Sequence, residues 1–247
     1  RSRWWEPILS DAIANYSTLP QIDFSKQYKD MMDAYGYEYV IIIPNGPDFA
    51  PWADTLKRFR TAQGIKTGVF KLSQIGGNSI EGIKAWVANA YNTWVIKPSA
   101  ICLMADYSTD PSGNTGITSK LQPDPGYPDF ASDNYYADVN NDEMPEIVFS
   151  RLVGNNSAEL QTLISKNLNY ERNPPTNPNF YAKPITALGW QTERWFQICS
   201  EVLGGFFKSI GKTPTRINKI YSGTPGTQWS TATNTATVVN YFGTAGP

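Results

Sequence analysis

With 247 residues, 21 Lys plus Arg against 22 Asp plus Glu and a formal charge of −1, the chain has no electrostatic footprint for nucleic acid or an anionic membrane surface. It contains no histidine, which removes a Ser-His-Asp triad, a Cys-His dyad and every His-based metal site from what these residues assemble alone. No apolar run approaches the roughly 18 residues of a membrane span, and abundant aromatics with only 17% charged residues suit an ordered, loop-rich, exported protein.

The length allows one large domain or two small ones. The chain opens Arg1-Ser-Arg-Trp-Trp-Glu-Pro7 without a signal-type segment, so upstream processing or trimming is expected. Residues 1–36 read as a leader packed on the domain, with amphipathic pieces at Ile8 to Tyr16 and Phe24 to Tyr35 parted by Leu19-Pro20. Tyr39 to Ile43 is a continuous β-branched run and reads as a strand buried on both faces. A helix should follow, opened by Asp48 and stopped by Gly64, with Trp52, Leu56 and Phe59 along one face. Lys66 to Leu72 reads as the next strand.

Asn78-Ser-Ile-Glu81 offers a helix N-cap with an acid three residues on. Ile80, Ile83, Val87, Tyr91, Trp94 and Val95 continue at helical spacing, and Ser99 to Met104 reads as a third buried strand. Strand, helix, strand, helix, strand with short connections predicts an α/β fold with a mostly parallel sheet flanked by helices. Asp106 then falls at the carboxyl end of a strand, where open α/β sheets place ligands, or is simply the acid that ends the strand. Tyr107 to Asp129 reads as a Pro/Gly/Asp-rich loop, long enough to be functional or mobile.

The most informative stretch is Ser132 to Arg151, SDNYYADVNNDEMPEIVFSR. Asp138, Asn140 and Asp142 alternate, and Pro145-Glu146 closes the loop before a strand expected at Glu146 to Phe149. Oxygen ligands so spaced can converge on one hard cation such as Ca²⁺. The same residues are also those of a plain acidic turn. The loop is not an EF-hand, whose sixth and twelfth positions would hold Gly and Glu but here hold Glu143 and Phe149.

Asn156-Ser-Ala-Glu159 repeats the capping arrangement, and Leu160, Leu163, Ile164 and Leu168 form the stripe of a helix stopped by Asn173-Pro-Pro175. The proline-rich stretch to Pro178 is a candidate hinge. After a strand at Pro184 to Leu188, Trp195, Phe196, Cys199, Val202, Leu203, Phe206, Phe207 and Ile210 give the strongest helical stripe in the chain. Cys102 in a buried strand and Cys199 in this stripe are expected as core residues rather than reactive thiols. They form neither a disulfide framework nor a CxxC zinc pair. Arg216 to Tyr221 reads as a last strand, with helix at Ala236 to Phe242 in the tail.

The ordered set ICLMAD, SDNYYADVNNDEMPEIVFSRL, SAELQTLISKNLNYERNPP and LGWQTERWFQICSEVLGGFF resembles the gingipain-type family of cysteine peptidases from about Tyr37 to Phe242. The resemblance implies a caspase-like fold of two adjoining subdomains, the first at 37–131 and the opening portion of the catalytic one at 132–247, incomplete in this chain. It also implies secretion or surface display by a bacterium, Ca²⁺-supported stability, peptide or protein substrates, and a Cys-His dyad; the loop spacing offers Asp138, Asn140, Asp142 and Glu146 as the Ca²⁺ ligands. In that family the dyad residues come later, so none is assigned here; the remaining catalytic segment is expected beyond Pro247, with a second chain as one form it can take. Glu193 is the acid that the resemblance offers to a basic P1 side chain, although an acid in a first helical turn also simply complements the helix dipole. The alternative from another class is a non-catalytic calcium-binding surface or adhesion module on the same scaffold.

Overall fold

The computed structural model describes residues 3–22, 34–187 and 194–217. They fall in two compact units, Arg1–Leu168 and Asn169–Pro247; the boundary expected near residue 131 lies within the first.

The first unit is organised on four strands: β1 (Tyr39–Ile43), β2 (Thr67–Lys71), β3 (Ala100–Met104) and β8 (Val148–Leu152). They pair in parallel in the order β2-β1-β3-β8, with Ile41 beside both Val69 and Cys102, and Cys102 beside Ser150. Val40 through Ile43 and Ile101 through Met104 are all but fully buried. That is why these strands read as unbroken apolar runs: with helices on both faces, neither side of the strand meets water. Burying each such Ile or Leu contributes about 1.5–3 kcal/mol.

Helices α2 (Ala50–Ala62), α3 (Ile80–Thr93) and α5 (Ser157–Arg172) cover the sheet. Each turns a stripe to the core: Ala53 and Leu56, then Ile83, Val87 and Ala90, then Leu160, Ile164 and Leu168. Two start signals lie elsewhere than expected. Asp48 does not cap α2, whose N-cap is Phe49 with no side-chain bond and a proline in the first turn. The cap of α3 is Ser79, which accepts from the Gly82 amide at 3.2 Å, and this leaves Asn78 free for a different task described below. Gly64 ends α2 as expected, at φ +81, a left-handed value that suits glycine.

The strand expected at Glu146 to Phe149 starts two residues later and runs to Leu152. Glu146 is kept in the loop by its own amide, which donates to the Ala137 carbonyl, and pairing resumes where Val148 N–H meets the Ser99 carbonyl. The stretch read as an unstructured loop from Tyr107 contains β5 (Gly116–Ile117), paired to β4 (Asp106–Tyr107), and an antiparallel hairpin of β6 (Lys120–Asp124) and β7 (Tyr127–Ser132). Pro123 and Pro128 mask this hairpin in the sequence, and its register slips between Gln122 and Asp124, at the proline that has no N–H to offer.

The leader carries a short helix, α1 (Glu6–Ala12); its second amphipathic piece lies largely outside the described residues. In the second unit, α6 (Pro178–Ala182) leads to β9 (Ile185–Ala187), α7 (Arg194–Ser209) and β10 (Thr215–Ile217), with β9 and β10 parallel. The expectation that Cys199 is buried is corrected here: Cys199 is exposed, as are Ile198, Val202, Leu203 and Phe206 along the same helix and Ile210 just after it. Periodicity identified the apolar face, but among the described residues nothing covers it. Glu193, most of the last expected strand and the tail helix lie outside the described residues.

Candidate functional site: an acidic loop and the carboxyl rim of the sheet

Helix α4 (Asn134–Ala137) delivers the chain into the acidic loop. Asp138 accepts from the amides of Asp142 and Glu143 at 3.1 and 3.2 Å, Asn140 Oδ1 from Asp142 N–H at 2.9 Å, and Asp142 Oδ1 from Met144 N–H at 2.9 Å. Glu146 reaches back to the amides of Val139 and Asn140 at 2.6 and 3.4 Å. The Asn140 amide donates to both Asp142 and Glu146, at 3.1 and 2.8 Å. Asn141 and Glu143 take left-handed φ of 63 and 70, which keeps the chain curled so that the alternate residues stay on one side.

All four predicted ligands are thus linked within one loop, with the side-chain NH2 of Asn140 turned toward Asp142 and Glu146. Among the described residues, Asp138, Asp142 and Glu146 meet no Lys or Arg at ion-pair distance. In this conformation the carboxylates are engaged with backbone amides, and no ready three-acid cage is present among the described residues. Carboxylate and side-chain carbonyl oxygens at alternate positions are nevertheless the donor types that a hard cation takes.

Lys84 approaches from α3. It is 8% exposed, donates Nζ to the Asp138 carbonyl and to that of Tyr135 at 2.6 Å, and lies 4.5 Å from the Tyr135 ring centre. Its ammonium therefore fixes where the acidic loop begins. Sequence reasoning missed it because a lysine within a helix looks like a solvated charge.

At the carboxyl ends of the strands, Arg151 organises the rim. Its Nε and Nη2 each donate to Asp133 at 2.8 Å, and Nη1 donates to the carbonyls of Ala105, Asp106 and Ile117 at 3.0–3.2 Å. Ser119 also donates to Asp133 at 2.8 Å. The predicted Asp106 stands in this lattice: its carboxylate accepts from its own neighbour's amide, Tyr107, at 2.7 Å and from Asn155 at 3.4 Å. Asn155 and Asn156 in turn hold Glu159, whose carboxyl lies below its ordinary range because it accepts the Asn155 amide at 2.8 Å and the Asn156 side chain at 2.8 Å. Asn156 caps α5 as expected.

The strand order reverses between β1 and β3, the place where a doubly covered sheet opens a crevice for ligands. Here the chain's own loop fills that position. Asn45 N–H donates to Gly113 and Gly46 N–H to Asn114, at 2.7 and 3.1 Å, and the Asn45 side chain donates to Ser112 at 2.8 Å. Asn78 donates to the carbonyls of Ser108 and Asp110 and accepts from Thr118 N–H, at 3.1, 2.7 and 2.8 Å. A Cβ on Gly46 would stand 2.3 Å from the Asn114 carbonyl oxygen, so only glycine permits this approach.

Among the described residues, neither cysteine is set up as a catalytic thiolate. Cys102 is buried, as expected, and desolvation pushes its thiol above its ordinary value despite hydrogen bonds to Tyr39 and Ser150. Cys199 lies in the open on α7, and the sequence supplies no imidazole to either.

Comparison with known proteins points in one direction. The model of Peptidase family C25 matches residues 33–244. Solved structures that resemble the chain include a crystal structure of the Arg-specific cysteine proteinase gingipain R, at 18% identity and TM-score 0.55, covering 74% of this chain and 41% of that one, and the complex of the pro- and mature domains of RgpB from Porphyromonas gingivalis, at 18% identity and TM-score 0.54, covering 73% and 41%. This chain thus spans about two fifths of the length of those it matches. At this identity the likeness speaks to the fold, which is caspase-like. No curated protein matches the sequence.

Proposed function

As the chain belongs to Peptidase family C25, we propose that it forms the amino-terminal part of a secreted or surface-displayed bacterial cysteine endopeptidase of the gingipain type, with a Cys-His dyad contributed by other polypeptide. The observation that carries this reading is a family match over residues 33–244 in a sequence without one histidine. The exposed stripe of α7 supports it, as a face suited to further catalytic polypeptide. In this reading 37–131 and 132–247 belong to successive subdomains, and Glu193 faces a basic substrate side chain. The dyad would attack a peptide carbonyl through its thiolate and hydrolyse the acyl-enzyme; the residues present here act as scaffold.

The test is direct. The purified chain, given fluorogenic Arg and Lys peptides with and without reductant, is expected to show no turnover above the blank. Thiol-dependent hydrolysis by the chain alone would overturn the assignment of the dyad to other polypeptide. Sequence continuing past Pro247 should contain a His-Gly segment and a later Cys. A continuation with neither would favour the non-catalytic calcium-binding or adhesion module instead.

Within the same reading Asp138, Asn140, Asp142 and Glu146 hold Ca²⁺, which supplies charge compensation and clamps the loop. A ligand bound only to the native state at a hundred times its Kd stabilises by about 2.7 kcal/mol. EDTA should therefore lower the melting temperature by several degrees, added Ca²⁺ should restore it, and Asp138→Asn with Asp142→Asn should abolish the response. An EDTA-insensitive melt of the wild-type chain would leave the loop a turn held by its own amides.

A further inference from the structure

Residues 3–22 precede the family match, which begins at residue 33, and they meet the domain at Glu38. Arg3 donates Nε and Nη2 to the two carboxylate oxygens of Glu38 at 3.1 Å each, and Nη2 also to the Gly64 carbonyl at 2.7 Å. Trp4 donates its indole N–H to Glu38 Oε1 at 3.1 Å, and the Arg3 guanidinium lies 4.5 Å from the Trp4 ring centre. Glu38 itself is 5% exposed, accepts the Lys66 amide at 3.2 Å, and stands immediately before β1, at the amino end of the sheet. Beside the clamp is a cavity of about 300 Å³, walled by Trp5 and Ile8 of the leader and by Tyr39, Ala100 and Val148 at the strand starts.

The two sides of this contact differ in kind. The domain side is a fixed wall with a buried carboxylate. No residue in the helical turns of the leader, at 3–5, 6–12 and 16–18, is buried, so the leader is not held as a core element is held, by apolar surface removed from water. A bidentate guanidinium–carboxylate pair is a recognition contact with fixed geometry. The Glu38 carboxylate still offers two oxygens in the plane that a guanidinium matches whenever the leader lets go.

We infer that Glu38, with the Gly64 carbonyl beside it, forms a docking socket for an Arg-Trp-bearing polypeptide segment, and that this chain's own residues 3–8 are its exchangeable occupant. The socket lies at the opposite end of the strands from Arg151 and its lattice, so exchange leaves that rim undisturbed.

In the full chain, Arg3→Ala should speed hydrogen exchange in the amides of residues 6–12 at least about tenfold while exchange in β1 and β3 stays as it was. A fluorescein-labelled peptide of residues 1–12 should bind the Arg3→Ala chain saturably, read by fluorescence anisotropy, and bind the wild-type chain, whose socket is filled in cis, more weakly. The same peptide carrying Arg3→Ala should bind at least about tenfold less tightly, as should the natural peptide to a chain carrying both Arg3→Ala and Glu38→Gln. Unchanged leader exchange in Arg3→Ala, or equal binding of the two peptides to it, would overturn the inference; the peptide comparison uses one folded chain throughout and does not depend on the Glu38 variant.

Discussion

Arg151 shows how one side chain can hold an edge of a fold together. Its side chain and that of Asp133 are 13% and 19% exposed, and its remaining donors go to carbonyls of segments that have few strand partners of their own. Arg151→Ala would leave the partly buried Asp133 carboxylate without its cation, a loss smaller than the roughly 3–5 kcal/mol of a fully buried pair. Arg151→Lys keeps the charge but not the planar fork and should recover only part of it. Urea denaturation checks both; an unchanged midpoint for the alanine variant would remove Arg151 from its organising role. None of this was legible in the sequence. Asp133 lies 18 residues upstream and the Ala105 carbonyl 46, and no local pattern reports partners at that distance. The clustering of Asp138, Asn140, Asp142 and Glu146 was legible, because the loop that gathers them is only nine residues from end to end.

Among the elements, the buried strands were the easiest to read, since β-branched runs bounded by turn residues carry their own signal. Helix α5 was read through its cap, and the cap has a pH consequence. The Glu159 carboxyl titrates below its ordinary range in the folded chain, so its contribution is present above the unfolded carboxylate value of about 4.3 and is lost as pH falls through the lower folded value. Glu159→Gln should therefore flatten the acid limb of the stability profile, with the difference between variant and wild type shrinking below about pH 4; a difference that is constant with pH would assign the effect to packing. The hairpin β6–β7 escaped the sequence because its two prolines imitate a loop. The start of α3 was misplaced by one residue because Asn78 and Ser79 are both good caps, and only the geometry shows that the serine caps the helix while the asparagine ties the loop.

For the whole molecule, the parallel sheet between helices was legible from the alternation of strand and helix, whereas what lies on the outer face of α7 was not, because a hydrophobic stripe does not say what covers it. Ile198, Val202, Leu203, Phe206 and Ile210 are 41–66% exposed. A dye that fluoresces on apolar surface should therefore bind the natively folded chain, and Phe206→Asp should weaken that signal without moving the melting temperature by more than a degree or two, as expected of a substitution outside the core. Strong dye binding that persists in the variant would place the apolar surface elsewhere.

The close approach of Gly46 to Asn114 gives the segment after β3 a particular mechanical character. Stapled at Asn45, Gly46 and Asn78, it behaves as masonry rather than as a door. Any molecule arriving at that end of the sheet meets a wall whose ordering entropy was already spent when the chain folded. Selectivity at that end then comes from the wall's fixed outline, and enlarging Gly46 would change the outline by prising the masonry loose.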